Sequence, residues 1–303
     1  MKYNKVLLYG RVSKQPTVMF NDVEKQYTLG ILKLDTVRMS NIVEDGVDYT
    51  KHEYPMIISE DNEKCSIIAN LKENDVVLIK GVVSTKTITK TAYCESCGAP
   101  HSQKCSFMYI TPICINKIRS YEIKNDAIND VLKNKEISNN VQLFGTLIKD
   151  PKMVTTKKKI QITQYQVAVN RKYRIKQDNP SIKTDYPIIK TYGEDARNDK
   201  MHLRYQSEIM ADGYLQARKL IRKFKCDKCN SFSKFEDISM EIVSIGGTEY
   251  VSNFKTKEDI QREFNKTVEE INNELMKKGY NDTLTEDEIS EDIFGNYEED
   301  NDY

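Results

Sequence analysis

Along most of this chain, apolar residues recur at every second position. "QYTLGILKL" (26–34) and "TQYQVAVNRKY" (163–173) alternate with the period of half-buried strands. "KVLLYGRV" (5–12) and "VQLFGTLI" (141–148) are apolar runs interrupted by one glycine, the mark of a bend or bulge inside a strand. "DVVLIKGVVSTKTITK" (75–90) and "SEIMADGYLQARKLIRK" (207–223) are longer strand-like runs with one interior glycine each, and "SFMYITPICINKI" (106–118) and "DISMEIVSI" (237–245) read as closing strands. About five short strands in each stretch of roughly 110–120 residues, bent at glycines, predict a small barrel. Two segments break the pattern. Residues 122–140 are polar and compatible with one short helix. In 256–278, Ile260, Phe264, Val268, Ile271 and Leu275 fall at helical spacing behind Thr256 and Asp259, an N-cap arrangement.

The pattern occurs twice. Val6, Leu8, Gly10, Lys14 and Pro16 fall on Val141, Leu143, Gly145, Lys149 and Pro151 at one offset of 135 residues. "EYPMII" (53–58) falls on "DYPIIK" (185–190) at an offset of 132, which then holds from Gly81 to Gly213 and from Cys94/Cys97 to Cys226/Cys229. The chain is a tandem duplication. The expected fold is mainly β, with two tandem barrels, a C-terminal helix and a disordered acidic tail. The units are 1–121, a linker 122–139, 140–254, a helix 255–280 and a tail 281–303.

Charge changes this picture in one respect. The 46 basic and 46 acidic residues cancel, but 281–303 holds ten Asp/Glu and no Lys or Arg, so the body carries +10. A basic body suits a polyanion, and the acidic tail competes with one. No run approaches the roughly 18 apolar residues of a spanning helix, and "MKYNKVLLYG" does not read as a signal peptide. Seven cysteines without an export signal point to reduced thiols and a cytoplasmic location, with no membrane partner. Phosphate-binding glycine loops and the hydrolase or metalloprotease signatures are missing. The three histidines, His52, His101 and His202, lie far apart, and His202 reads as a surface residue. The chain reads as a non-enzyme.

The blocks "VQLFGTLIKDPKMV", "YQVAVNRKYR", "DYPIIKTYGEDA" and "GYLQARK" resemble, in order and spacing, the bacterial and phage single-stranded DNA-binding protein family. The resemblance spans 140–222 and, more weakly, 4–90. It implies oligonucleotide-binding (OB) barrels that take single strands in a basic groove with aromatic stacking platforms. By motif position it implies stacking on Tyr173, Tyr186 and Tyr192, with Tyr54 matching Tyr186 in the first copy. Glu60 stands opposite Tyr192, and Leu220 and Ile88 occupy a further place where the family often has an aromatic. Arg171, Lys172, Arg174, Arg218 and Arg222 are the basic candidates, with Lys157–Lys159 at a hairpin tip. The resemblance further implies replication and repair partners at the acidic tail, and two chains pairing as a homodimer.

Each repeat places its Cys-x-x-Cys between a long basic strand and the closing strand. In the first, Cys94, Cys97, His101 and Cys105 form a set with zinc-ligand spacing, read here as one structural Zn2+ per chain. Cys226 and Cys229 form a partial second site: a decayed one, one shared with another subunit, or one joined to the first copy's site. Cys65 and Cys114 lie in apolar strand contexts. The functional expectation is a protein that coats single-stranded DNA in replication, recombination or transfer, without much sequence choice. An RNA-binding OB module and a non-enzymatic scaffold subunit are the alternatives.

Overall fold

The computed structural model of the chain describes residues 3–44, 47–170 and 184–277. The first repeat runs β1 (Tyr3–Val12), β2 (Thr17–Asn21), β3 (Gln26–Glu44), β4 (Val47–Glu53), β5 (Met56–Ser59), α1 (Asn62–Ala69), β6 (Asp75–Tyr93) and β7 (Pro100–Ser120). After α2 (Lys124–Lys133), the second runs β8 (Asn139–Leu147), β9 (Lys152–Thr155), β10 (Gln161–Asn170), β11 (Thr184–Asp185), β12 (Ile188–Tyr192), α3 (Gly193–His202), β13 (Glu208–Lys225) and β14 (Phe232–Ser252). Helix α4 (Lys257–Lys277) follows.

In the first repeat, pairing passes round from β1 to β6, β7, β5, β3 and back to β1. Two seams are thin: β5 meets β7 at Ile57↔Ile110, and β1 meets β3 only through Arg11↔Asp35 and Val12↔Leu34. The second repeat repeats this circuit through β8, β13, β14, β12 and β10. These are the partly open five-stranded barrels of the OB architecture. Each carries an asparagine clamp. The Asn4 side chain donates to Val83 O and accepts from Val83 N, both at 2.9 Å, and Asn139 does the same with Leu215 at the equivalent place.

The barrels join edge to edge. Antiparallel pairing of β1 with β8 sets Val6 opposite Val141, its own image in the repeat, so a pseudo-twofold axis passes through this pair. One continuous apolar core results, from Val6, Leu8 and Leu34 on one side to Val141, Leu143 and Leu215 on the other. From the junction rise two long hairpins, β6–β7 and β13–β14. Each bends where a register shift occurs, beside Gly81 and at Ala211/Gly213. A Cβ on Gly81 would come within 2.7 Å of Thr111 O, and one on Gly213 would overlap the Val243 carbonyl. Only glycine lets the strands cross this closely.

The helices correct part of the sequence reading, which treated each repeat as strands. Cys65 is buried on α1, not on a strand. Asp61 caps that helix by accepting the Lys64 N–H at 3.1 Å. In the 122–139 segment, which carries the short helix expected there, Asp130 of α2 accepts from the Tyr9 and Tyr121 hydroxyls, and Ala127 and Val131 pack with Tyr9, Val37 and Val76. At α4, Thr256 and Asp259 exchange side-chain-to-backbone hydrogen bonds at 3.1 and 3.2 Å, a capping box. Among the described residues, no helix is long and apolar enough to cross a membrane.

Candidate nucleic-acid interface and cysteine centre

The two matching tyrosines lie in two-residue links between strands, Tyr54 between β4 and β5 and Tyr186 between β11 and β12. Glu53 and Asp185 are buried, and the residues that follow them, Tyr54 and Tyr186, are 41% and 43% exposed. Each tyrosine precedes a proline (Pro55, Pro187), which keeps it extended. Glu53 Oε2 accepts the Ala217 N–H at 2.8 Å, and Asp185 Oδ1 accepts the Thr85 N–H at 2.6 Å. Each carboxylate therefore fastens its tyrosine's segment to the hairpin of the other repeat. The Tyr186 N–H donates in turn to Thr85 Oγ1 at 2.9 Å.

Around Tyr54 the surface carries both charge and aromatic faces. Lys33 Nζ sits 5.2 Å from the Tyr54 ring centroid. Pro55 and Met56 line a shallow hollow with Met108 and Tyr109. Phe107 and Tyr109 stack with centroids 5.8 Å apart, and Lys86 Nζ lies 5.4 Å over Tyr109. The further place where the family often has an aromatic is held by Ile88, on β6. Phe107 and Tyr109 stand on the partner strand β7, where "SFMYI" shows them two residues apart, on one face of a strand.

The other candidates fall in different settings. Tyr192 ends β12, half-buried, at the entry to α3. Arg218 is half-buried on β13 near Lys190, whose ammonium is disfavoured first by burial, while the Glu241 carboxylate at 2.9 Å supports it and Arg218 opposes it. Arg222 Nε is bound at 2.7 Å by buried Asp237, which also takes Lys90 from the first repeat. Its guanidinium is thus engaged within the hairpin pair. Lys157–Lys159 lie in the tight turn between β9 and β10. His202 stacks on Tyr250 at 5.4 Å, half-buried. Arg171, Lys172, Tyr173 and Arg174 lie outside the described residues, as does the tail 281–303.

The cysteines assemble differently from the first-copy set. Cys94 and Cys97 group with Cys226 and Cys229, all four sulfurs lying within 4.8 Å of one another. His101 and Cys105 do not join them. His101 stacks flat on Phe224 of the other hairpin, centroids 4.2 Å apart, and the Cys105 thiol turns to Gln103 O. The duplication explains this: the pseudo-twofold axis lays the two hairpins side by side, so each Cys-x-x-Cys meets its own image. Four such thiols could bind a metal. Hydrogen bonds from the Ser231 and then the Ser233 hydroxyl hold Cys94 down to about 5. At Cys97 the Ala99 N–H favours the thiolate, but the neighbouring Cys229, burial and Cys226 outweigh it and push the thiol up to about 12. Crowded thiolates resist joint ionisation unless a cation sits among them.

The barrel circuits, the paired hairpins and the outward tyrosines define a tandem OB-fold protein. Residues 138–228 match the model of the single-strand binding protein family. The wild-type single-stranded DNA binding protein from Thermus aquaticus has a similar solved structure: TM-score 0.53 and 15% identity, covering 84% of this chain and 96% of that one. A deletion mutant of the same Thermus protein gives TM-score 0.53 and 14% identity, covering 84% and 98%. No curated protein matches the chain in sequence.

Proposed function

We propose that this chain binds single-stranded DNA and coats it in replication, recombination or DNA transfer. The observation that carries the reading is the family match over 138–228, which contains Tyr186, Tyr192, Arg218 and the basic strand β13. Outward tyrosines beside lysines on a barrel surface supply the two things that sequence-independent single-strand binding needs, stacking faces and positive charge. The unmatched first repeat carries such a surface as well, at Tyr54, Phe107 and Tyr109.

No catalytic step enters this reading. The +10 body follows the phosphates, and the acidic tail both competes with them and engages replication or repair proteins. One structural Zn2+ per chain, held by thiolates at the hairpin tips, belongs to the same reading, and thiols in that state suit a reducing cytoplasm. Two chains pair to present four barrels.

The test is a titration against single-stranded DNA, the matching duplex and the matching single-stranded RNA at two salt concentrations. Tight, salt-sensitive preference for single-stranded DNA is expected. Equal binding to duplex, or none, would replace the reading with a scaffold role, and preference for RNA with an RNA-handling one.

A further inference from the structure

We infer that a single zinc ion is shared between the two repeats. It takes Cys94 and Cys97 from one hairpin and Cys226 and Cys229 from the other, so that it clasps the two barrels together at the end opposite their strand junction. The inference does not depend on what the chain binds.

Spacing is the first argument. The Cys94–Cys229 and Cys97–Cys226 sulfurs are 3.6 Å apart, and the whole quartet lies within 4.8 Å. Four thiolates around zinc at about 2.3 Å stand about 3.8 Å from one another in a tetrahedron. Small side-chain movements reach that geometry without moving either hairpin.

The backbone at each pair is the second argument. In the first hairpin, Gly98 N–H returns to Cys94 O and Cys94 N–H donates to Ala99 O, both at 2.9 Å, with Gly98 at φ +67°. In the second, Asn230 N–H returns to Cys226 O and Cys226 N–H donates to Ser231 O, again at 2.9 Å, with Asn230 at φ +58°. These twin turns aim both sulfurs of a pair at one point. They also bring hydroxyls to the sulfurs: Ser231 Oγ lies 3.3 Å from Cys94 Sγ and 2.9 Å from Cys229 Sγ, and the Ser233 hydroxyl donates to Cys94 Sγ at 3.4 Å. Donors to sulfur are what an anionic tetrathiolate centre requires. Binding replaces the thiol protons still present with the metal and releases them to solvent; nothing is oxidised or reduced.

The hairpins are already matched for the clasp. Lys90 and Arg222, equivalent in the repeat, share Asp237, and the Glu95 N–H donates to Ser233 Oγ at 3.1 Å across the pair. With the metal in place, β1–β8 pairing ties the barrels at one end and four sulfurs tie them at the other.

The test is metal analysis of the full chain purified under reducing conditions. One zinc per chain is expected, lost in Cys94→Ser, Cys97→Ser, Cys226→Ser and Cys229→Ser, and retained in His101→Ala and Cys105→Ser. Because a serine variant could also misfold, wild-type protein stripped of metal is titrated with Co2+. One equivalent should produce the intense sulfur-to-cobalt absorption of a tetrathiolate, and hydrogen exchange should slow at 93–99 and 225–231 together. Zinc that survives Cys226→Ser and Cys229→Ser but is lost in His101→Ala would overturn the shared site. So would wild-type protein that neither carries zinc nor takes up cobalt. None of these readouts involves DNA, so a metal-bound chain that ignores single strands would sink the DNA reading and leave the clasp standing.

Discussion

Glu53 and Asp185 hold equivalent places in the two repeats, and each accepts a backbone N–H from the equivalent place in the other repeat's hairpin, Ala217 at 2.8 Å and Thr85 at 2.6 Å. The two bonds form a reciprocal lock about the pseudo-twofold axis. Both carboxylates are buried, so each hydrogen bond to charge contributes about 1.5–3 kcal/mol. Asp185→Ala should lower the free energy of urea unfolding by that amount. Glu53→Ala should in addition strip Arg38, bound to Glu53 at 2.9 Å, of that carboxylate and leave it the Gln216 side chain. Equal stability of Asp185→Ala and the parent would show that the lock contributes nothing.

Asp237 provides a pH-dependent version of the same coupling. Burial would raise its carboxyl, but hydrogen bonds from Lys90 and Arg222 outweigh burial and hold it below the usual carboxylate range. The folded chain therefore binds this proton less tightly than the unfolded chain does. The stability it contributes is fully present above the unfolded value of about 3.9 and is lost as pH falls through the lower folded value. Asp237→Asn should cost about 2 kcal/mol at neutral pH, less than the ~3–5 kcal/mol of a fully buried pair, since Lys90 and Arg222 are partly exposed. The gap between variant and parent should close on acidification. A gap that widens at low pH would contradict the assignment.

Gly213 tests the crossing of β13 over β14. An added methyl group would press on the Val243 carbonyl, which is backbone and cannot swing aside. Gly213→Ala should destabilise by about 1–3 kcal/mol, the usual cost of overpacking. Gly81→Ala, where the added carbon stays 2.7 Å from Thr111 O, should cost less. Thermal unfolding of the two variants measures both the size and the order of the effects.

Much of this architecture is legible in the residues because the duplication states it twice. Strand periodicity, the bending glycines and the Thr256–Asp259 cap can each be read from local sequence, since the forces involved are local. The ligand grouping is not local. His101 and Cys105 have the right spacing to Cys97, whereas Cys226 and Cys229 reach it only through the axis that pairs Val6 with Val141. Of the alternatives read for Cys226 and Cys229, the one that joins them to the first copy's site matches this grouping, because a pseudo-twofold axis brings the two Cys-x-x-Cys pairs together. Helices α1 and α3 escaped notice for a different reason. They are 8 and 10 residues long and bury only two side chains each, Cys65 and Ile68 in one, Ala196 and Asp199 in the other, too few to imprint a helical period. Phe107 and Tyr109 stand on β7, the partner of the strand β6 to which the resemblance directs attention.

Stacking and charge make separable contributions at the proposed DNA surface, and salt distinguishes them. Tyr54 and Tyr186 offer exposed rings and no charge, so their loss removes stacking alone. Tyr54→Ala and Tyr186→Ala should each weaken single-stranded DNA binding by about 1–3 kcal/mol per stacked base, on the order of tenfold in Kd. The factor should be the same at low and high salt. Lys33→Ala and Lys86→Ala remove cations that lie over Tyr54 and Tyr109. They should weaken binding mainly at low salt and flatten the dependence of log K on log salt by roughly one phosphate contact each. Fluorescence titrations of the four variants at two salt concentrations separate the two behaviours. If both tyrosine variants keep the parent's affinity while the lysine variants lose it, the surface binds phosphate without stacking bases, and its preference for single strands must come from elsewhere in the barrels.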